Sequence, residues 1–246
     1  MNGSTVQPAA SDAGQGVDWP ELTLPGAEAE LLRRAYGDAR VILEYGSGGS
    51  TVVAAQQPGK LVFSVESDRN WAMSLQHKMD QADLPSPAIL HFVDIGQTGR
   101  WGRPKNDEGW RNYHRYPTGI WSEPFFRQPD LVMIDGRLRP ACFVTACLRT
   151  KQPITILFDD YAVRPMYHVV EELVKPVETV GRMAVFQVAP REWPSWADDL
   201  LIELCGLASY EADTVDYSKL PDIPVLHMLR ANKDSLEHQL KSKVTE

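Results

Sequence analysis

Three acids stand where apolar runs stop. Glu44 lies near the end of RVILEY, Glu66 ends LVFSVE and Asp94 ends AILHFVD. A glycine-rich turn follows the first of them: Tyr45, Gly46, Ser47, Gly48, Gly49, Ser50 and Thr51. Glycine there lets the backbone turn sharply and lets a ligand approach where a Cβ would intrude. The backbone N–H groups at the start of the following helix face such a ligand. No Lys-Ser/Thr follows the glycines, so a P-loop is excluded, and the spacing GxGG departs from the GxGxxG of a dinucleotide loop. Glu44, two residues before Gly46, would repel a pyrophosphate and suits a ligand with a positive end. Glu66, with Ser67 after it, is placed to accept hydrogen bonds from ribose hydroxyls, and Asp94 with Ile95 lies where a base would sit.

A second group of acids consists of Asp135, Asp159 and Asp160, at the ends of DLVMID and ITILFD. If those two strands are neighbours, three carboxylates meet at one edge of the site. Oxygen-only ligands suit Mg²⁺ or a similar hard cation, which would bind acceptor hydroxyls and lower their pKa. Arg137 is awkward beside such a cation, and Arg137 and Arg139 can instead hold an anionic group. Asp135 and Asp160 are the residues expected to orient an acceptor. His114 offers a general base, although a lone histidine is more often a surface residue, and His91, inside an apolar run, reads as packed.

These residues need strands and helices to position them. Helical spacing covers 27–36, 50–57, 69–81 and 140–149, the last with Pro140 in its first turn. Strand-type runs cover 40–45, 61–66, 88–94, 130–135 and 154–159. They are continuous rather than alternating, which implies a sheet buried on both faces, with parallel strands and crossover helices. The runs 177–180 and 183–188 predict a closing hairpin with Gly181 at its turn. The fold class is α/β, a three-layer Rossmann-like sandwich.

With those elements in place, the pattern ILEYGSGGST, FSVESD, FVDIG, LVMIDG resembles class I S-adenosylmethionine-dependent methyltransferases over about 24–188. It is most similar to a bacterial group of methyltransferase-like proteins carrying EYGSGGST and DGR. The resemblance implies a mostly parallel seven-strand sheet with an antiparallel last strand, and S-adenosyl-L-methionine as cofactor. It places Gly46, Ser47 and Gly48 along the methionine part, Glu66 at the ribose, and Asp94 and Ile95 at the adenine edge. The IDG and FDDY segments resemble metal-dependent O-methyltransferases of sugars or diols, whose corresponding acids hold the metal. No PPY follows the fourth strand, which argues against nucleic acid as acceptor. The expected enzyme methylates a small molecule at oxygen. The alternatives are a non-catalytic nucleotide-binding regulatory protein and an NAD-dependent oxidoreductase.

Residues 1–22 read as a loose tail, 23–189 as the cofactor-binding domain and 190–246 as an extension. That extension holds helical patterns at 196–207 and 235–244. Residues 95–129 form an insertion between two strands, with Trp101, Trp110, Tyr113, Tyr116, Trp121, Phe125 and Phe126 among six basic and three acidic residues. Its aromatics argue against disorder, leaving either a self-packed excursion or a lid over an acceptor. The chain of 246 residues has 25 Lys and Arg against 33 Asp and Glu, a net charge of −8 that disfavours general polyanion binding. No apolar run is long enough for a membrane span, and no secretory signal is apparent. Three cysteines without CxxC spacing fit reduced thiols and a cytoplasmic setting. A homo-oligomer is left open.

Overall fold

The computed structural model describes residues 17–212 and 223–227. Helix α1 (Gly26–Asp38) leads into β1 (Val41–Tyr45), α2 (Gly49–Ala55), β2 (Leu61–Glu66), α3 (Arg69–Gln81) and β3 (Ala88–Phe92). The insertion follows as 3-10 turns around a single short helix, α4 (Arg115–Thr118). Then come β4 (Leu131–Ile134), α5 (Arg139–Arg149), β5 (Ile154–Phe158), the hairpin β6 (Glu178–Val180) and β7 (Met183–Val188), and α6 (Trp196–Cys205).

The seven strands form one sheet in the order β3-β2-β1-β4-β5-β7-β6. Strands β1 to β5 pair in parallel, and β7 runs antiparallel to both neighbours. The central strands are buried nearly throughout, as their uninterrupted Val, Ile and Leu require. Side chains alternate between two cores. Ile42, Val62, Met133 and Leu157 face α1 through Leu31, Leu32 and Tyr36. Leu43, Phe63, Ile134 and Phe158 face α5, α6 and the insertion. Right-handed crossovers account for the split, because the chain winds one way from β1 to β3 and the other way from β4 to β5. The order reverses at β1 and β4, so a crevice opens at their carboxyl ends, where open α/β sheets bind ligands.

The insertion and the extension are both tied down. Tyr113, Tyr116 and Ile120 are buried in the main core, whereas Trp101 and Trp110 stay exposed. Trp121 Nε1 donates to the Tyr45 hydroxyl at 2.7 Å, and that hydroxyl donates to the Pro117 carbonyl at 2.5 Å. In the extension, α6 packs on α5 through Ala197, Leu200 and Leu204. The Glu211 carboxylate accepts from the Arg100 N–H at 2.7 Å and so clips the extension to the insertion. Within the expected tail, Trp19 and Leu22 pack on the helices and the sheet, so the chain is held from there on by apolar contact. Residues 1–16 and the expected helix at 235–244 lie outside the described residues. Among the described residues no helix is long and apolar enough to cross a membrane.

Candidate active site

A cavity of about 700 Å³ occupies the crevice. Its floor is the turn after β1, where Gly46, with a positive φ of 98°, passes against the turn after β4. A Cβ on Gly46 would stand 2.9 Å from the Gly136 Cα, so two glycines are needed for these turns to touch. Ser47, Gly48, Gly49 and Ser50 continue the floor, and Pro20 to Leu24 border it. Trp71 and the insertion's Trp101, Gly102 and Arg103 form another wall. Among the described residues three non-glycine positions have left-handed backbone: Trp101, Leu138 and Asp160. The first and last line the cavity and Leu138 follows Arg137 in its rim, so each held conformation, costing ~1–3 kcal/mol, falls at the site.

Glu66 closes β2 at the cavity edge, 7% exposed. One carboxylate oxygen accepts from Ser47 N–H at 3.2 Å and Ser47 Oγ at 2.7 Å. The other accepts from the N–H groups of Ser67 and Asp68, at 2.6 and 2.9 Å. Ser67 Oγ also reaches the Gly102 carbonyl at 3.0 Å, which seats the insertion beside this acid. A carboxylate has about four lone-pair directions, so the serine hydroxyls hold positions that an incoming hydroxyl can take when they rotate away.

Not every expected ligand residue reaches the cavity. Gly46, Ser47, Gly48, Gly49, Ser50, Glu66, Ser67 and Asp135 line it, whereas Glu44, Tyr45, Thr51, Asp94 and Ile95 do not. Strand alternation explains the first two, which point to opposite faces below the turn. Glu44 is fully buried against α1, accepts from the Tyr36 hydroxyl at 2.5 Å, and its carboxyl is pushed up in pKa by that burial. Tyr45 is spent on the insertion. Thr51 Oγ1 accepts from the Gly48 N–H at 3.0 Å and caps α2. Asp94 is exposed and caps its own turn through the Gly96 N–H, while Ile95 is core.

Asp135, Asp159 and Asp160 do converge, with carboxylate oxygens within 4.8 Å of one another. The expected divalent cation does not suit this arrangement, because three arginines already occupy it. Arg139 reaches Asp135 at 2.8 Å and Asp160 at 3.1 Å, and donates to the Asp159 carbonyl at 2.8 Å. Arg164 meets Asp160 at 2.7 Å, and Arg182 forks onto both Asp159 oxygens at 2.9 Å. Three cations thus balance three anions. Arg139 is held more firmly protonated by the acids, despite its burial. Asp135 opens toward the cavity, and burial, with Asp159 and Asp160 adding to it against Arg139, raises its pKa to about 6.

Among the described residues no histidine lines the cavity. His91 is lowered by partial burial inside β3, and His168 packs on Tyr161. Residues that sequence reasoning did not select are Arg164, Arg182, Tyr116 and Trp71. Tyr116 accepts from the Arg137 N–H at 3.2 Å and lies over Gly136.

A methyltransferase-like protein from Silicibacter pomeroyi is 47% identical to this chain, covers 76% of it with 98% of its own length, and superposes with a TM-score of 0.72. This chain belongs to that family. This chain carries the mostly parallel, Rossmann-like seven-strand sheet described above. More distant likenesses include an O-methyltransferase from Bacillus cereus in complex with S-adenosylhomocysteine, at 18% identity and TM-score 0.47, covering 66% of this chain and 80% of its own. Another is the Streptomyces achromogenes O-methyltransferase of tomaymycin synthesis with S-adenosylmethionine, at 16% identity and TM-score 0.46, covering 67% and 80%. The family assignment rests on the Silicibacter protein alone. No family model and no curated protein matches the chain.

Proposed function

We propose that this methyltransferase-like protein transfers a methyl group from S-adenosylmethionine to an oxygen of a small-molecule acceptor. The observation that carries the reading is the glycine turn meeting Gly136 beneath a cavity bordered by Glu66 and Asp135. A volume of about 700 Å³ accommodates a nucleoside-sized cofactor beside a compact acceptor. Gly48 has open space where a Cβ would project, which leaves room for a ligand against the turn. The cofactor, when bound, supplies an activated methyl on a sulfonium. Glu66 would take the ribose hydroxyls in exchange for those of Ser47 and Ser67. Asp135, with its pKa near the working range, would accept the acceptor's hydroxyl proton as the oxygen bonds to carbon. Arg139 fixes Asp135 at the cavity wall, and alignment of acceptor and methyl supplies the rest. Asp160 is a positioning residue in this scheme, holding Arg139 and Arg164. A metal has no part in it, since the guanidinium of Arg139 stands among the carboxylates. A cytoplasmic setting goes with this reading, and all three cysteines are unpaired and buried.

The test is calorimetric titration of the full chain with S-adenosylhomocysteine and with NAD, followed by a methyl-transfer screen over small hydroxyl compounds. Micromolar binding of the first ligand and none of the second is expected. A cooperatively melting protein that ignores S-adenosylhomocysteine at millimolar concentration would sink the reading. Binding with no transfer to any acceptor would turn it toward a regulatory role.

A further inference from the structure

Among the described residues five arginines line the cavity: Arg103, Arg137, Arg139, Arg164 and Arg182. Arg139, Arg164 and Arg182 are matched by Asp135, Asp159 and Asp160. Among the described residues the Arg137 guanidinium forms no ion pair, and its buried Nε has no hydrogen-bond partner. Its backbone is fixed on both sides: the N–H donates to Tyr116, and the carbonyl accepts from Cys142 Sγ at 3.3 Å. The side chain borders the cavity and also a small adjoining cleft with Ile95, Pro104, Tyr113 and Ala208. Those neighbours include residues of the insertion and the extension, the parts outside the shared sheet, where specificity is usually built. Arg137 is half-buried, and such a cation without a counter-ion is stabilised when a ligand supplies one. Its pKa is lowered by burial and by Arg139 and Arg103, which marks a positive potential still uncompensated.

Resting on the methyl-transfer reading, we infer that the acceptor is a monoanionic carboxylate, held by Arg137 at the mouth of the insertion while its hydroxyl faces Asp135. One unmatched guanidinium matches a single negative charge, and its fork suits the two oxygens of a carboxylate. A phosphate dianion would ask for a second unmatched cation. The other source of a carboxylate is the cofactor's own methionine end, and the test separates the two.

The full chain, saturated with S-adenosylhomocysteine, is titrated with benzoate and with its neutral counterpart benzamide, for wild type, Arg137→Met and Arg137→Lys. Replacing an unpaired half-buried cation with an apolar side chain does not threaten folding, and the thermal melt of each variant checks this. Wild type is expected to prefer benzoate by about tenfold or more, a margin of one hydrogen-bonded charge. Arg137→Met should abolish that preference and Arg137→Lys keep part of it, with S-adenosylhomocysteine affinity unchanged. Equal binding of acid and amide, or no benzoate binding, overturns the inference and leaves the methyl-transfer reading intact so long as S-adenosylhomocysteine binds. If Arg137→Met instead weakens S-adenosylhomocysteine but not 5′-methylthioadenosine, which lacks the amino-acid end, the guanidinium serves the cofactor and the inference also falls. Failure of wild type to bind S-adenosylhomocysteine defeats the underlying reading itself.

Discussion

Replacing Arg139 with methionine removes the cation at the centre of the three aspartates. The guanidinium is 5% exposed and also donates to the Gly136 and Asp159 carbonyls, at 3.1 and 2.8 Å. Its loss leaves one net negative charge among carboxylates whose side chains are 39%, 1% and 13% exposed for Asp135, Asp159 and Asp160. Asp135 loses the one arginine it pairs with, a share discounted for screening because it faces the open cavity, while Asp159 keeps Arg182 and Asp160 keeps Arg164. Breaking a buried ion pair by deleting one partner costs ~3–5 kcal/mol, and at ~2–4 °C per kcal/mol for a chain of this size the melting temperature should fall by roughly 10 °C. The loss should depend on pH with a definite sign. Burial already raises Asp135 to about 6 with Arg139 beside it, and removing that cation raises it further, so stability of the variant falls as pH rises through the Asp135 pKa. The gap to wild type should therefore narrow as pH is lowered from about 8 toward about 5, where Asp135 protonates. Millimolar Mg²⁺ should leave the melting temperature of wild type unmoved, because its acids are already matched by arginines. A wild type stabilised by Mg²⁺, or a gap that does not vary with pH, would refute the ion-pair account of this cluster.

Four other expectations follow from the same geometry. Methyl transfer by wild type should decline as pH drops below about 6, where Asp135 takes up its proton. Asp135→Asn should lose about 100- to 10,000-fold in kcat with S-adenosylhomocysteine affinity nearly unchanged, and a larger effect on affinity would reassign the residue to cofactor binding. Gly48→Ala places a methyl in open space, so its melt should match wild type, while calorimetry should show weaker S-adenosylhomocysteine binding if the cofactor lies against the turn. Glu44→Gln should stabilise the fold above neutral pH, because burial raises the native pKa of Glu44 and its ionised form is penalised there. That gain should vanish on acidification, once Glu44 is protonated in both states, and denaturant melts across pH measure it directly.

The sheet was legible because its signals are local. Strand β2 and helix α3 fall where expected, 61–66 and 69–81, since an unbroken apolar run and an Asp68 cap both mark their own ends. The hairpin was read from Gly181, which takes the positive φ its turn demands. The insertion resisted because its 3-10 turns have no apolar period, and its order comes from single aromatics reaching distant partners such as Tyr45 and Gly136. Glu44 was selected by nearness in sequence to the glycines, yet a strand turns alternate side chains to opposite faces, and its face is the α1 core.

The aspartate cluster shows where such reading stops and what would have extended it. Acids at the carboxyl ends of adjacent strands are visible in one dimension, and so is the four-residue step from Asp135 to Arg139. Arg182 is not, because its position depends on the antiparallel register of β5 and β7. Once Phe158 is paired with Ala184, continuing that register by two residues sets Arg182 opposite Asp160. The hairpin therefore does more than close the sheet: it returns a cation to the carboxyl edge, where parallel strands had gathered only acids. Arg164, four residues after Asp160, completes the neutralisation. With the acids thus matched, the charge left for a ligand to answer belongs to Arg137, the very residue whose place beside the aspartates made a metal awkward.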